Sequence, residues 1–401
     1  MTELTEVPEP DVEAAVALTS RLVQMRTVNE PGAAVVEAPA ARLLYDLMRS
    51  FDWHVTLEEV VPGRPNVVAI VDGAGPGRTL MFEGHTDVVT EGDRDEWDFY
   101  PFAGDIVDGR LRGRGAADMK SGVAAMIYAV RAVELGGFVG RIIVAALADE
   151  EGMMLGVKDF AASPLAAAGI DGVIVCEPEA GEVCAVAKGA MRIRIDLQGV
   201  MAHGAMPQHG RSPIPALGQL LIGLGELQQQ IAETVGPHEH LGEFYLTPTV
   251  LQAGSVEQVN VIPATASMLL DVRTIPAVAH EPLLLLITKL TETIAAEAGL
   301  RSAVTVLDDR PPVDTPVDAP VVSALARAHE QVTGEPARFG GVPGTTDGTI
   351  LTRDAGLQTV VYGPGGKWIA HQANEFVEVA DIVTATKVYA AAARIFLAES
   401  A

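Results

Sequence analysis

Histidine and acidic residues follow apolar segments at several points of this sequence. His85 and Asp87 come directly after the largely apolar run 79–84, and the same placement recurs for Asp118, Glu150, Glu151, Glu177 and His371. Because active sites of α/β proteins gather at the carboxyl ends of strands, these side chains are expected to converge. Two imidazoles and several carboxylates form a ligand set for a divalent cation such as Zn²⁺. The pattern therefore predicts a metal-dependent hydrolase.

Each of these residues also has a simpler interpretation. A single histidine after a strand is most often a hydrogen-bonded surface or core residue, and three successive acids at 149–151 usually form a solvated turn. Glu177 could simply end a strand before Pro178, and His371 follows a glycine-rich loop at 363–367. Because several histidine and acidic residues follow apolar runs in the same way, a metal site is favoured over these simpler interpretations.

Length and charge limit the classes of function. A chain of 401 residues is too long for one ordinary core and is expected to form two domains. The net charge of −25 argues against nucleic acid and anionic membranes as partners, because both need a basic surface. No apolar run reaches the roughly 18 residues of a spanning helix, and residues 1–11 do not resemble a signal peptide. Cys176 and Cys184 form no CxxC pair, so a cytoplasmic setting is expected.

Helical and strand patterns alternate in the first part of the chain. Helical periodicity covers 12–23, 38–50 and 120–135, and strand-like segments cover 66–71, 78–83, 141–148 and 172–176. This alternation predicts an α/β catalytic domain with a mostly parallel sheet and helices on both faces.

The pattern changes near Lys188. Strand, helix, strand, strand and helix follow one another at 191–197, 214–233, 245–252, 266–273 and 282–299. Such a block predicts a smaller α+β, ferredoxin-like domain with its helices on one face. Because ligand-type residues lie on both sides of it, the block is expected to be inserted. The predicted parts are 1–188 and 303–401 for the catalytic domain and 189–302 for a lid or dimerisation domain.

Five segments resemble, in order, the signatures of the M20 metallopeptidase family. They are FEGHTDVV at 82–89, GRGAADMKSG at 113–122, DEEG at 149–152, EP at 177–178 and AHQANE at 370–375. Each motif alone is weak, and their common order over roughly residues 12–395 carries the resemblance. The family includes acetylornithine deacetylase, succinyl-diaminopimelate desuccinylase, aminoacylase 1 and glutamate carboxypeptidases.

The resemblance implies two divalent metal ions bridged by Asp118. His85 and Glu177 would complete one site, and Glu151 and His371 would complete the other. Zn²⁺ is the first choice, and Co²⁺ and Mn²⁺ are alternatives for such a mixed nitrogen and oxygen shell.

The resemblance also gives roles to Asp87 and Glu150. Asp87 would accept a hydrogen bond from the far nitrogen of His85 and fix its tautomer. A bound metal lowers the pKa of its water from 15.7 to about 7. Glu150 would be the general base that takes a proton from this water. The water then attacks the amide as hydroxide, and Glu150 gives the proton to the leaving amine.

Residues of the middle block complete the implied site. His203, in the segment AHGAMPQHG at 202–210, would stabilise the oxyanion, often from the partner subunit. The small hydroxyl pair of the family is replaced here by Gly204 and Ala205. Arg273 would clamp a substrate carboxylate with its planar guanidinium, and Asn260 would donate beside it.

The segment GTTDG at 344–348 resembles a pocket-lining segment of the family. Thr345 and Thr346 are therefore candidate substrate contacts. The alternative is a helix start at which a threonine or aspartate caps free N–H groups, and both interpretations can hold together.

These inferences predict an amidohydrolase that removes the acyl group from an N-acyl amino acid. The alternative within the family is a carboxypeptidase or dipeptidase acting beside a free carboxylate. A non-catalytic homologue is disfavoured because the ligand and base positions carry competent residues. A nucleotide-dependent oxidoreductase is disfavoured because the glycine-rich stretches lack GxGxxG spacing. The expected partners are a small substrate with a free carboxylate and a second copy of the chain in a homodimer.

Overall fold

The computed structural model describes residues 8–30 and 36–399, which form two compact units. The larger unit comprises, within these limits, Met1–Ala185, Thr315–Val342 and Thr346–Ala401. The smaller unit comprises Val186–Asp314 and Pro343–Thr345.

Both units contain helices. They are α1 (Val12–Val23), α2 (Ala38–Arg49), α3 (Ser121–Gly136), α4 (Leu155–Ala161), α5 (Pro164–Ala167), α6 (Ile214–Val235), α7 (His280–Glu297), α8 (Pro320–Thr333), α9 (Asp347–Ala355) and α10 (Val379–Ala398). Within the described residues, none of them has both the length and the apolar character needed to cross a bilayer.

The strands have the following bounds. They are β1 (His54–Val61), β2 (Arg64–Asp72), β3 (Thr79–His85), β4 (Ile106–Val107), β5 (Arg110–Arg112), β6 (Arg141–Leu147), β7 (Gly172–Val175), β8 (Val183–Ala187), β9 (Gly189–Gln198), β10 (Ala202–His203), β11 (Tyr245–Ala253), β12 (Val261–Ile262), β13 (Thr265–Thr274), β14 (Arg301–Arg310), β15 (Val313–Asp314), β16 (Phe339–Val342), β17 (Thr359–Val361) and β18 (Phe376–Glu378).

The larger unit is built on a mixed sheet with a parallel centre. The strand order is β1-β2-β6-β3-β7-β17-β8, in which β6, β3, β7 and β17 pair in parallel and the flanking pairs are antiparallel. Nearly every residue of β3 and β6 is buried. Such continuous apolar burial is typical of parallel strands covered on both faces. The expected α/β class is confirmed.

Register brings the ends of three strands to one edge of this sheet. His85 at the end of β3 lies opposite Leu147 at the end of β6, and Glu83 lies opposite Val175 at the end of β7. The residues that follow these strands, including Asp87, the acids at 149–151 and Glu177, therefore leave the sheet side by side.

Helix α3 begins directly after the segment that contains Asp118. Gly122 lies in its first turn, and a Cβ atom there would be 2.0 Å from the carbonyl oxygen of Cys176. Only glycine permits this close approach of the helix to the end of β7. The approach brings the Asp118 segment close to the strand that precedes Glu177.

The smaller unit has the element order β9-α6-β11-β13-α7-β14, the βαββαβ arrangement of a ferredoxin-like domain. Its antiparallel sheet has the order β11-β13-β9-β14. Side chains of β9 alternate between a buried face, which packs with α6 and α7, and a polar face. The sequence-based boundary at 302 lies inside β14, whose pairing with β9 keeps residues up to Arg310 in this sheet.

Candidate metal centre

The carboxylate of Asp118 lies between two histidines. Nε2 of His85 is 3.1 Å from Oδ1 of Asp118, and Nε2 of His371 is 3.2 Å from Oδ2. Each carboxylate oxygen therefore faces a different imidazole. A carboxylate that offers one oxygen to each of two ligand groups has the geometry expected of a bridging ligand.

Each histidine contacts a second carboxylate as well. Oε1 of Glu177 is 3.3 Å from Nε2 of His85, and Oε1 of Glu151 is 3.0 Å from Nε2 of His371. The structure thus brings together two ligand groups that share Asp118. The groups are His85, Asp118 and Glu177 on one side and His371, Asp118 and Glu151 on the other.

The electrostatics of this cluster fit a divalent cation. Burial, together with the charge of Asp118, raises the pKa of Glu177 to about 8 and also raises the pKa of Glu151. Hydrogen bonds to Asp118 and Glu151 raise the pKa of His371 to about 11. A bound cation would stabilise the ionised carboxylates and take the place of the imidazole protons, because metal ligands must be deprotonated.

Nδ1 of His85 is held in place by Asp87. Nδ1 lies 3.0 Å from the main-chain oxygen of Asp87 and 3.5 Å from its Oδ1 atom. The main-chain carbonyl is thus the nearer acceptor for Nδ1–H, whereas the sequence pointed to the carboxylate. Either contact leaves Nε2 directed at Asp118 and Glu177.

The carboxylate of Asp87 also holds the main chain of the acidic turn. It accepts hydrogen bonds from the N–H groups of Glu150 and Glu151, each at 3.1 Å. One buried side chain thus touches both the His85 ligand and the turn that carries Glu151.

Glu150 lies beside the first ligand group. A carboxylate oxygen of Glu150 and ligand atoms of His85 and Glu177 all lie within 4.8 Å of one another. Burial raises the pKa of Glu150 well above its usual value, and the charges of Glu151 and Asp347 act in the same direction, whereas His85 opposes them. A carboxylate with a raised pKa can both accept and return a proton near neutral pH.

The segment that carries His371 is tied to the Asp118 segment by a buried ion pair. Arg114 pairs with Glu375, and both side chains are almost fully buried. The other oxygen of Glu375 accepts hydrogen bonds from the N–H groups of Ala117 at 3.0 Å and Asp118 at 3.2 Å. Glu375 lies within the motif at 370–375, and no signal in the sequence pointed to this role.

A network of hydrogen-bonded polar side chains next to Asp87 was also not predicted from the sequence. It consists of Asn29, Glu37, Arg64 and Asp149. Asp149 was visible within the acidic motif. The other three carried no spacing signal, because their partners come from distant segments.

A second acidic cluster lies nearby in the larger unit. Glu179, Glu182 and Cys184 could together hold a cation. Nζ of Lys367 is 2.7 Å from Oε2 of Glu179 and 3.0 Å from Oε2 of Glu182. The lysine ammonium therefore already supplies the positive charge there.

His203 and Asn260 lie near each other in the smaller unit. His203 pairs with Val261 across β10 and β12, and the main-chain oxygen of Asn260 accepts from the N–H of Gly204 at 2.7 Å. Both His203 and Asn260 are exposed. Nδ1 of His203 accepts from the N–H of Ala205 at 3.0 Å, which leaves Nε2 as the outer nitrogen.

Arg273, Thr345 and Thr346 have identified partners. Nε of Arg273 lies 3.0 Å from Oδ2 of Asp271, and its side chain is about one-third exposed. Thr345 accepts a long contact of 3.5 Å from Arg310. Thr346 is buried and caps α9, because its hydroxyl accepts from the N–H of Gly348 at 3.3 Å. Its capping interpretation therefore holds, and its substrate contact stays a prediction.

Comparison with known proteins identifies the family. The profile of peptidase family M20/M25/M40 matches residues 81–395. A succinyl-diaminopimelate desuccinylase of Cereibacter sphaeroides is 32% identical over 338 residues, which cover 82% of this chain and 86% of that protein. The chain belongs to the M20/M25/M40 peptidase family. It is a metal-dependent hydrolase of amide bonds, as the sequence predicted.

Solved structures share the fold at low identity. Aminopeptidase PepT of Bacillus cereus has a TM-score of 0.78 at 19% identity and covers 97% of this chain and 100% of its own. The Bacillus subtilis YXEP protein, a dinuclear metal binding peptidase, has a TM-score of 0.70 at 19% identity, with 95% and 99% covered. Similarity at these identities concerns the fold alone.

Proposed function

We propose that this protein is a dinuclear metal deacylase that hydrolyses the amide bond of an N-acyl amino acid. The observation that carries the proposal is the position of Asp118, whose two oxygens face His85 and His371 separately. His85, Asp118 and Glu177 would hold one ion, and His371, Asp118 and Glu151 the other. Zn²⁺ is the first candidate for both, with Co²⁺ and Mn²⁺ as alternatives.

Bound divalent ions supply Lewis acidity, which polarises a carbonyl group and makes water nucleophilic near neutral pH. Glu150 supplies the proton transfer. One of its carboxylate oxygens takes a proton from the attacking water and then gives it to the nitrogen of the leaving amine. Burial and nearby carboxylates raise the pKa of Glu150, which makes it a stronger base toward the attacking water.

The smaller unit supplies the remaining groups in this proposal. Nε2 of His203 would donate to the oxygen of the substrate carbonyl as negative charge develops there. Arg273 would bind the free carboxylate of the substrate, with Asn260 beside it. Nε of Arg273 already donates to Oδ2 of Asp271, so the substrate would contact the terminal guanidinium nitrogens. Thr345 of the smaller unit and Thr346 of the larger unit are further proposed substrate contacts.

The substrate class rests on the relatives. Succinyl-diaminopimelate desuccinylase is the name of a relative 32% identical to this chain, and that name describes removal of an acyl group from an amino acid. A carboxypeptidase or dipeptidase activity is the alternative, because the same ligand set serves both reactions. The side chains around the substrate, and not the metal ligands, distinguish the two.

We further propose a homodimer assembled in the cytoplasm. β11 is an edge strand of the smaller sheet, and its residues Val250 and Leu251 are about half exposed. Unpaired apolar edge strands promote association, and pairing with a second copy would cover this one. The two cysteines are free and buried, in keeping with a reducing compartment.

A hydrolysis screen tests the proposal. Purified enzyme would be stripped with a chelator, reloaded separately with Zn²⁺, Co²⁺ or Mn²⁺, and assayed on N-acetyl, N-succinyl and N-carbamoyl amino acids and on dipeptides. We expect an N-acyl amino acid with a free carboxylate to be the best substrate and its methyl ester to be poor. Faster hydrolysis of dipeptides would establish the alternative, and activity that survives complete metal removal would overturn both.

A further inference from the structure

The side-chain amide of Asn29 lies between two buried carboxylates. Its Nδ2 atom donates to Oδ2 of Asp87 at 2.7 Å and to Oδ1 of Asp149 at 2.9 Å. Its Oδ1 atom accepts from Nη2 of Arg64 at 3.0 Å. These partners fix the orientation of the amide, because the nitrogen faces two acceptors and the oxygen faces a donor.

Arg64 completes this group. Its Nη1 atom lies 2.7 Å from Oδ1 of Asp149 and 3.0 Å from Oε1 of Glu37, and its side chain is about nine-tenths buried. The other oxygen of Glu37 accepts from the hydroxyl of Thr86 at 2.9 Å and from the N–H of Asp149 at 3.3 Å. One guanidinium therefore serves two carboxylates and the Asn29 amide.

The two carboxylates that contact Asn29 accept hydrogen bonds from main-chain N–H groups of the turn at 150–155. Asp87 accepts from the N–H groups of Glu150 and Glu151. Asp149 accepts from the N–H groups of Met153 at 3.1 Å and Leu155 at 3.3 Å. Asp149 itself has a left-handed main chain with φ of 67°, which a non-glycine residue adopts only when its surroundings hold it there.

Asn29 is itself held in place by the main chain. Its N–H donates to the carbonyl of Val88 at 2.8 Å, and the N–H of Val88 donates to the carbonyl of Thr27 at 3.0 Å. The segment that contains Asn29 therefore runs beside the segment that contains Asp87. These main-chain hydrogen bonds hold the segment that presents the Asn29 amide to the two carboxylates.

We propose that Asn29 and Arg64 are positioning residues that orient Glu150 by holding Asp87 and Asp149 in place. This inference rests on the proposed role of Glu150 as the base. Asn29 is suited to the position because a neutral donor stabilises two buried carboxylates without adding charge, whereas an unpaired buried carboxylate is costly. Neither residue needs to touch the substrate, so their removal should lower kcat and leave KM nearly unchanged.

Asn29→Asp and Asn29→Ala separate this role from space filling. Aspartate keeps the size of the side chain but replaces the donor with a third carboxylate. Alanine removes the donor and leaves room for a bridging water. We expect both variants to lose about 10–100-fold in kcat at saturating metal, with Asn29→Asp at least as impaired as Asn29→Ala. A side chain that only fills space predicts that folded variants lose stability and keep wild-type kcat.

Arg64 is tested by Arg64→Lys and Arg64→Met, with Arg394→Met as the matched control. Lysine keeps the charge but cannot serve Glu37, Asp149 and Asn29 together, because it lacks the planar fork of donors. Arg394 is a half-buried arginine of the same unit that binds the main-chain oxygens of Pro8 and Ala132. Arg394→Met should lower thermal stability with kcat retained, whereas both Arg64 variants should lower kcat.

The experiment measures kcat, KM and metal content for each folded variant, with Glu150→Gln alongside. Wild-type kcat in folded Asn29→Asp and Arg64→Lys would overturn the inference, as would full recovery with excess metal, which would place the role in metal retention. If one variant fails to fold, the other and Asn29→Ala decide the outcome. An active Glu150→Gln enzyme would instead remove the proposed base, and that result is distinct from the failure of Asn29 and Arg64.

Discussion

Oδ2 of Asp118 lies 3.2 Å from Nε2 of His371, a residue from the opposite end of the chain. The other oxygen of Asp118 faces His85, so neither group of ligands is complete without this carboxylate. The contact joins the two candidate ligand groups, which come from segments far apart in the chain.

The first prediction concerns metal content. Asp118→Ala should lose both ions, because each group of ligands loses its shared carboxylate, whereas His371→Ala should lose chiefly one. Elemental analysis after dialysis gives the ratio of metal to protein. The exposed acid Asp72, which pairs with Arg141, provides the control variant Asp72→Ala, which should bind metal like wild type. Loss of one ion in both Asp118→Ala and His371→Ala would contradict a bridging carboxylate.

The second prediction concerns the base. Glu150→Gln keeps the size of the side chain but cannot take a proton, so kcat should fall by about 10²–10⁴-fold or more. Metal content should stay nearly intact, because the proposed ligands are other residues. The control is Glu134→Gln, a partly buried acid that accepts from Trp53 at 2.9 Å in the same unit. Retention of more than about a tenth of wild-type kcat in Glu150→Gln would rule out the base role.

The third prediction concerns the buried pair of Arg114 and Glu375. Arg114→Met leaves the Glu375 carboxylate buried without its cation, which should lower the free energy of unfolding by about 3–5 kcal/mol. Because Arg114 also contacts the main-chain oxygen of His371 at 3.4 Å, the ion bound by His371 should be the first to dissociate. Urea denaturation and metal analysis measure the two effects. The exposed pair of Arg110 and Glu378 provides the control, since Arg110→Met should change stability little. Equal stability of the Arg114→Met and Arg110→Met variants would contradict the argument.

The fourth prediction concerns metal and folding stability. The cluster gathers four acids, the buried Glu150 and Glu177 and the partly buried Asp118 and Glu151, and bound cations would offset their charge. A ligand that binds only the folded state at 100 times its Kd adds about 2.7 kcal/mol of stability. Chelation should therefore lower the melting temperature of wild type, and much less that of Asp118→Ala. The same shift in both proteins would mean that the chelator acts elsewhere.

The convergence of the candidate ligands His85, Glu151 and Glu177 could be predicted, because each lies at the end of a parallel strand or within four residues after it. Asp118 and His371 do not directly follow a strand of that sheet, so the same argument did not place them. Parallel strands then bring His85, Glu151 and Glu177 to one edge whatever the details of packing. The hydrogen-bonded side chains next to these residues could not be predicted in this way. Asn29 meets Asp87 and Asp149 only through the folded main chain at Val88, and no spacing in the sequence relates these positions.

The smaller unit shows a similar limit. Alternation of apolar and charged residues predicted β9, since one face of that strand is buried and the other is polar. The boundary predicted at 302 fell inside β14, because the residue pattern changes within this strand, whereas its pairing with β9 continues to Arg310. Pairing of distant strands, and not local pattern, decides where this unit ends.

The last prediction concerns assembly and His203. His203 belongs to the smaller unit, is exposed, and lies far in sequence from the metal ligands. In a dimer with twofold symmetry each copy can supply the same group to the other, so a histidine that acts in trans creates two equivalent sites. We therefore expect a homodimer by sedimentation, with His203→Ala losing kcat and keeping its metal.

Complementation between two inactive variants tests the in-trans role. A His203→Ala chain is mixed with a Glu150→Ala chain and the subunits are allowed to exchange. In each mixed dimer one site then combines Glu150 of the first chain with His203 of the second, and the other site lacks both. Random exchange makes half of the dimers mixed, so activity should return to about a quarter of wild type. Each variant exchanged with itself is the control and should stay inactive. A verified mixed dimer with no activity would show that His203 acts within its own chain or not at all, and a fully active monomer would exclude the shared site altogether.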